Sequence, residues 1–254
     1  MIDLHSHILP GIDDGARTVE DSIEIARAAV RDGIVTIAAT PHVRDDWPTS
    51  ADLMEERLAE LRAELERARI PLEVRPGGEI ALDWVIRLNT EELRRFGIGG
   101  TRHLLVETPY YGWRRDLPGV LFSLLDEGFT PVLAHPERNA DVAAHPERLA
   151  ELVEAGVLVQ VTAASIDGRV GRRALECGRY LIRSGLAHLL ASDAHHASVR
   201  EVGMADAVEL VGDPALARWL TWDVPSAILA DAEIPPRPRV KARHGRWLGW
   251  LLEA

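Results

Sequence analysis

Cysteine is nearly absent from these 254 residues: Cys177 stands alone. An intrachain disulfide and a cysteine-rich zinc cluster are therefore both excluded. Its position within a helical stretch, Arg172 to Arg183, marks it as a buried structural thiol. Positive charge is also scarce, with 29 Lys and Arg against 40 Asp and Glu, a net charge of −11 and a pI near 5.4. Proteins that track phosphate backbones carry a basic face, so no nucleic-acid partner is expected. No apolar run reaches the length of a membrane span. The opening MIDLHSH lacks a basic region followed by an apolar one, so no secretory signal is expected and the cytoplasm is the expected compartment.

What the chain has is apolar residues, 46% of the total, arranged in alternation. Short, nearly continuous apolar runs occur at Ile2–His5, Ile34–Thr40, Leu72–Pro76 continuing to Glu79, His103–Glu107, Pro131–His135, Val157–Thr162 and His188–Asp193. Runs of this kind suit strands buried on both faces of a parallel sheet. Longer amphipathic stretches separate them. Thr18 is placed to cap the first helix, with Asp21 three residues on and Gly33 beyond its end. Ala51–Arg69 carries Met54, Leu58, Leu61 and Leu65 as one helical stripe. Further helices are predicted over Trp84–Arg95, Pro118–Glu127, Pro146–Ala155, Val170–Ser184 and Val199–Val211. Seven βα units in succession predict a single-domain α/β barrel, with an open doubly wound sheet as the alternative.

The last twenty residues break the pattern. Residues 235–254 (PPRPRVKARHGRWLGWLLEA) hold Arg237, Arg239, Lys241, Arg243 and Arg246 against Glu253, followed by Trp247, Leu248, Trp250, Leu251 and Leu252. The chain is thus divided into a barrel over 1–234 and a basic, aromatic tail over 235–254. The tail either packs its tryptophans on the barrel or makes peripheral contact with a membrane or partner.

The strand ends carry the chemistry. The first run leads into His5 and His7, with Asp13 and Asp14 beyond; the second precedes His42; the third ends at Glu79, the fourth at Glu107 and the fifth at His135. The seventh ends at Asp193, with His195 two residues on. Six of seven strands therefore deliver a candidate ligand at the end where α/β barrels place their active sites. Residues i and i+2 of an extended segment point the same way, so His5 with His7, and Asp193 with His195, can each share an ion. Singly, each such residue is as readily a helix cap or a loop side chain; their coincidence at one end argues for a metal centre. Imidazole with carboxylate suits Mn, Fe or Zn. His103 and His188 open strands at the opposite end, while His145 and His244 lie outside the pattern. His196 stays open.

The set HSH, DDG, TPH, GGEI, LLVE, AHPER and SDAHH resembles the polymerase and histidinol phosphatase (PHP) superfamily of metal-dependent phosphoesterases. It is similar in particular to the bacterial manganese-dependent protein-tyrosine phosphatases of capsule and exopolysaccharide operons. The opening IDLHSHILPGIDDGARTVEDS is the most specific segment, and the resemblance covers residues 1 to 232. It implies a distorted (β/α)7 barrel with three divalent ions, manganese first and Fe or Zn as alternatives. It further implies one ion on His5, His7, Glu79 and Asp193, a second on Asp14, His42 and His195, and a third on Glu79, Glu107 and His135. Arg138 would clamp the phosphate, with His42 or His195 assisting catalysis. The implied reaction is direct hydrolysis of phosphotyrosine by a metal-activated hydroxide, on a protein substrate such as a membrane-associated tyrosine autokinase. Tyr110, Tyr111 and Trp113 could wall a cleft for an aryl ring. The loop after His42 (VRDDWPTS) is more acidic than the resemblance predicts. A small-molecule phosphatase of the histidinol-phosphate type and a non-catalytic metal-binding regulator remain as alternatives.

Overall fold

The computed structural model describes residues 1–197 and 203–239. Ten strands occur in it: β1 (Ile2–Asp3), β2 (Thr36–Ala38), β3 (His42–Arg44), β4 (Trp47–Pro48), β5 (Glu73–Arg75), β6 (Glu79–Ala81), β7 (His103–Glu107), β8 (Thr130–Ala134), β9 (Leu158–Thr162) and β10 (Leu189–Ala191). One sheet has the order β1-β2-β5 and the other β10-β9-β8-β7-β6-β3-β4. All pairings are parallel except β3 with β4.

Together the two sheets form one ring of seven staves. β2 runs on into β3, and β5 into β6, so each pair is one stave with a break where the chain bends. The Glu79 N–H donates to the Pro41 carbonyl at 3.0 Å across that break. The ring closes between the ends of β10 and β1. There Ser6 and Ala194 form a parallel bridge, the Asp193 N–H donates to the His5 carbonyl at 2.9 Å, and the His7 N–H donates to the Ala194 carbonyl at 2.9 Å. The predicted α/β barrel is therefore present and distorted, and an open sheet is excluded.

The core is largely aliphatic: Leu4, Ile8, Leu105, Val132, Val159 and Leu190 are buried. The predicted helices surround it. Thr18 caps Val19–Arg31 through a complete capping box with Asp21. Met54, Leu58, Leu61 and Leu65 are all buried on the inner face of Ala51–Arg67. Cys177 is buried within Arg172–Ser184.

Some expectations need correction. The span Trp84–Arg95 is two helices, Leu82–Val85 and Thr90–Arg95, because Asn89 opens the second with its own capping box to Glu92. Pro146–Arg148 is a 3-10 turn before the helix Leu149–Glu154. The stretch after His42 is a hairpin of β3 and β4 instead of an irregular loop. The helix predicted from Val199 is described from Met204 to Val211; residues 198–202 lie outside the described residues. A run of short helices from Pro214 to Leu229, with Trp219 and Leu220 buried, was not anticipated. Of the tail, Pro235 accepts from the Trp219 indole at 2.9 Å and Arg237 donates to the Ile182 carbonyl. The tail's Lys241, Arg243 and Arg246, its two tryptophans and His244 lie outside the described residues.

Candidate metal centre

The parallel register brings the ligand-bearing strand ends level. His42 pairs with Glu79, Glu107 with Ala134 beside His135, and Ala191 with Thr162. Two of the candidate ligands sit in left-handed backbone, His135 at φ 30° and Asp193 at φ 53°. Neither is glycine, and such conformations persist where the surrounding structure enforces them.

At the centre, His5 Nε2 and His7 Nε2 are 3.3 Å apart. Each lies 3.3 Å from Glu79 Oε2 and 3.4 Å from Asp193 Oδ1. Two imidazole nitrogens at 3.3 Å gain little from each other. However, imidazole nitrogens that each face two carboxylate oxygens at 3.3–3.4 Å are spaced as neighbouring ligands of one first-row divalent ion are. His42 Nδ1 and Glu79 Oε2 are 2.9 Å apart, yet neither has a hydrogen-bond partner among the described residues. Two buried polar atoms, close but not aligned to bond, are what a shared cation would satisfy.

The other residues surround this core. Asp14 Oδ1 lies 3.4 Å from His42 Nε2 and 3.2 Å from His195 Nε2. His135 Nε2 lies 2.8 Å from Glu79 Oε1. Glu107 Oε2 lies 3.9 Å from His42 Nδ1 and 3.4 Å from Arg44 Nη1. Four overlapping groups of potential ligands result: His7, Asp14, His42 and His195; His5, His7 and Asp193; His5, Glu79 and His135; and His42, Glu79 and Glu107. All nine predicted metal ligands are included. All three predicted sets are drawn differently: His7 joins Asp14, His42 and His195, Glu79 stands outside the group of His5, His7 and Asp193, and His135 groups with His5 while Glu107 groups with His42, both through Glu79. His196, part-buried, belongs to none of the groups.

The electrostatics call for added positive charge. Burial disfavours charge on His42, but Glu79 and Asp14 outweigh it and push His42 up to about 9. Burial likewise opposes ionisation of Glu79, yet His5 and His42 hold it well below the usual carboxylate range. Glu107, buried and facing Glu79, is pushed up to about 7. Without a cation, protons on histidine balance the carboxylates; a bound metal would displace them.

Supporting residues fix the ligands' orientation. Asp13 Oδ2 accepts from His7 Nδ1 at 2.7 Å and from the His42 N–H at 3.0 Å. Gln160 Oε1 lies 3.1 Å from His5 Nδ1 and accepts from the His135 N–H at 3.1 Å. Such outer partners set the tautomer of a metal-binding histidine. Gln160 stands on the one strand that supplies no ligand, and a lone amide inside the apolar run VLVQVT was its signal. Arg44, also unforeseen, is held by Asp46 at 2.7 Å. Asp45 accepts from the Trp84 indole at 2.9 Å and pairs with Arg87, so the acidic hairpin is largely neutralised.

Arg138 follows the turn after β8 and pairs with Asp193 Oδ2. Its guanidinium lies 5.1 Å over the Tyr110 ring, which is parallel to His135 with centroids 6.1 Å apart. Of the three aromatic residues after Glu107, Tyr110 borders the site. Tyr111 is 83% exposed, and Trp113 packs on the core under Arg148.

Comparison with known proteins gives the chain a family. A family described as capsular polysaccharide synthesis, CpsB/CapC, matches residues 1–226. The tyrosine-protein phosphatase YwqE of Bacillus subtilis is 36% identical over 209 residues, 82% of each chain. The tyrosine-protein phosphatase CpsB of Streptococcus agalactiae serotype III is 28% identical over 219 residues, 83% of this chain and 89% of that one. Crystal structures of YwqE from Bacillus subtilis and CpsB from Streptococcus pneumoniae, described as metal-dependent tyrosine phosphatases, match with a TM-score of 0.84 and 33% identity, covering 95% of this chain and 100% of that one. A β-aspartyl dipeptidase from Fervidobacterium islandicum, 15% identical with a TM-score of 0.54, shares the fold alone. With the match spanning nearly the whole barrel and its ligand-bearing strand ends, the chain belongs to the CpsB/CapC family of capsular polysaccharide synthesis.

Proposed function

We infer that this chain is a metal-dependent protein-tyrosine phosphatase acting in capsular polysaccharide synthesis. The observation that carries the reading is the convergence of His5 and His7 on both Glu79 and Asp193 at 3.3–3.4 Å, with Arg138 paired to Asp193 at the edge.

The proposal places three divalent ions, manganese first. His5, His7, Glu79 and Asp193 would hold one, Asp14, His42 and His195 a second, and Glu79, Glu107 and His135 a third. Glu79 supports a bridging role, since Oε1 faces His135 while Oε2 faces His5, His7 and His42. Ions bound there would supply Lewis acidity at the phosphoryl oxygens and a nucleophile drawn from water near neutral pH.

The chain's own residues do the rest. Arg138, always charged, presents the guanidinium fork that matches phosphate oxygens and offsets their charge. Asp193 and the Tyr110 ring hold that fork in place. A phenol leaves with a pKa of about 10, so little help from a general acid is needed. Both ring nitrogens of His42 face carboxylates, and His195 Nδ1 faces the Asp193 carbonyl at 2.9 Å. Metal holding is thus their main part and proton delivery a supporting one. Cys177 is buried, its thiol pushed up to about 12 by burial, so it serves no nucleophilic role.

The finer reading is a phosphotyrosine protein substrate, such as a membrane-associated tyrosine autokinase, met in the cytoplasm by a catalytic barrel over 1–234. The basic tail over 235–254 would add peripheral contact. No helix among the described residues is long and apolar enough to cross a membrane.

Removal of metal by chelation is expected to lower hydrolysis of a phosphotyrosine peptide at least 100-fold, with recovery on adding Mn. Activity that persisted after complete removal, verified by elemental analysis, would contradict the mechanism.

A further inference from the structure

We propose that a cleft beside Arg138 is a subsite for an acidic residue flanking the phosphotyrosine, read by Arg173. The inference rests on the phosphatase reading above and extends it to the substrate's sequence.

The cleft has a volume of about 360 Å³, and Tyr110, Tyr111, Glu137, Arg138, Val170 and Arg173 line it. Arg138 belongs to both places. It pairs with the candidate ligand Asp193 and also lines the cleft, so the cleft begins where the phosphate position ends. A peptide whose phosphotyrosine reached Arg138 would lay its neighbouring residues there.

The lining describes that occupant. Tyr111 is 83% exposed and Val170 41% exposed, leaving apolar surface for an extended chain. Glu137 is 1% exposed, and its Oε1 accepts from the Thr162 N–H at 2.9 Å and the Ser165 hydroxyl at 2.7 Å. Its Oε2 has no hydrogen-bond partner among the described residues. Glu137 is thus sealed beneath the cleft and offers an incoming anion no attraction. The anionic side chain is therefore directed to Arg173, which is exposed and forms no ion pair among the described residues. Its neighbour Arg172, by contrast, is tied to Glu176 at 2.7 Å. A guanidinium left open at the cleft of a strongly acidic molecule selects a carboxylate from solution.

The test is binding of non-hydrolysable phosphonate peptides, flanked by Glu, Ala or Lys, to the manganese-loaded protein by calorimetry. The Glu peptide is expected to bind about fivefold tighter than the Ala peptide, a size typical of a partly exposed charge pair. R173A should bring that ratio to about one, and R173E should turn the preference toward the Lys peptide. An R173A ratio equal to the parent's overturns the proposal, and so does a loss of affinity shared equally by all three peptides. Turnover of a simple aryl phosphate, which has no flanking residues, separates the two readings. A metal-loaded parent that fails on it defeats the phosphatase reading itself.

Discussion

At the residue scale, the candidate ligands were legible because they stand at strand ends or just beyond them, while their supports were not. Asp13 stood in the DDG motif beside Asp14 and received no role, although it holds His7 Nδ1 and the His42 backbone together. Removing it would leave three buried donors unsatisfied, the Gly15 N–H being the third. Asp13→Ala is expected to weaken metal affinity about 10- to 100-fold. Competition with a calibrated chelator measures this, and an unchanged affinity would remove Asp13 from the support shell. Gln160 was hidden for a different reason: its contacts with His5 and the His135 backbone span 155 and 25 residues of sequence.

At the element scale, spacing predicted the staves and main helices, and local chemistry decided where they broke. Asn89 split one predicted helix because its side chain accepts from both the Glu91 and Glu92 N–H groups. The loop between β1 and the first helix depends on Gly15. A Cβ there would lie 2.1 Å from the His7 carbonyl oxygen and 2.4 Å from His7 Cβ. Backbone cannot yield as a flexible side chain does, so the loop must shift. Gly15→Ala is expected to cost about 2–3 kcal/mol, lowering Tm by roughly 4–12 °C. Calorimetry of the metal-free protein would show it, and an unaltered Tm would mean that the loop has slack the structure lacks.

At the scale of the whole molecule, the barrel has a metal-binding end and a sealed one. His103 opens β7 at the sealed end, 1% exposed, with its Nδ1 3.1 Å from the Thr101 hydroxyl. Burial lowers it to about 4, outweighing the attraction of Asp231. A histidine whose folded pKa lies below its unfolded value stabilises the fold above about 6.5. That contribution is lost as pH falls through the window from 6.5 to 4 and amounts to on the order of 3 kcal/mol. His103→Gln should therefore flatten the pH dependence of unfolding free energy across that window relative to the parent. Parallel curves for the two proteins in denaturant titrations would show that His103 does not titrate with folding.

The sequence by itself determined the alternation of strand and helix, and with it which residues stand at the strand ends. Those facts follow from local periodicity, which any short window of chain contains. Only the tertiary structure decided that two broken staves and a Ser6–Ala194 closure make seven staves into a ring. The same closure brings His5 and His7 within 3.3–3.4 Å of both Glu79 and Asp193. It also turned Arg138 toward Asp193 and left Arg173 beside an open cleft. These relations join residues far apart in the chain, so they exist only once the ring has brought its first and last strands together.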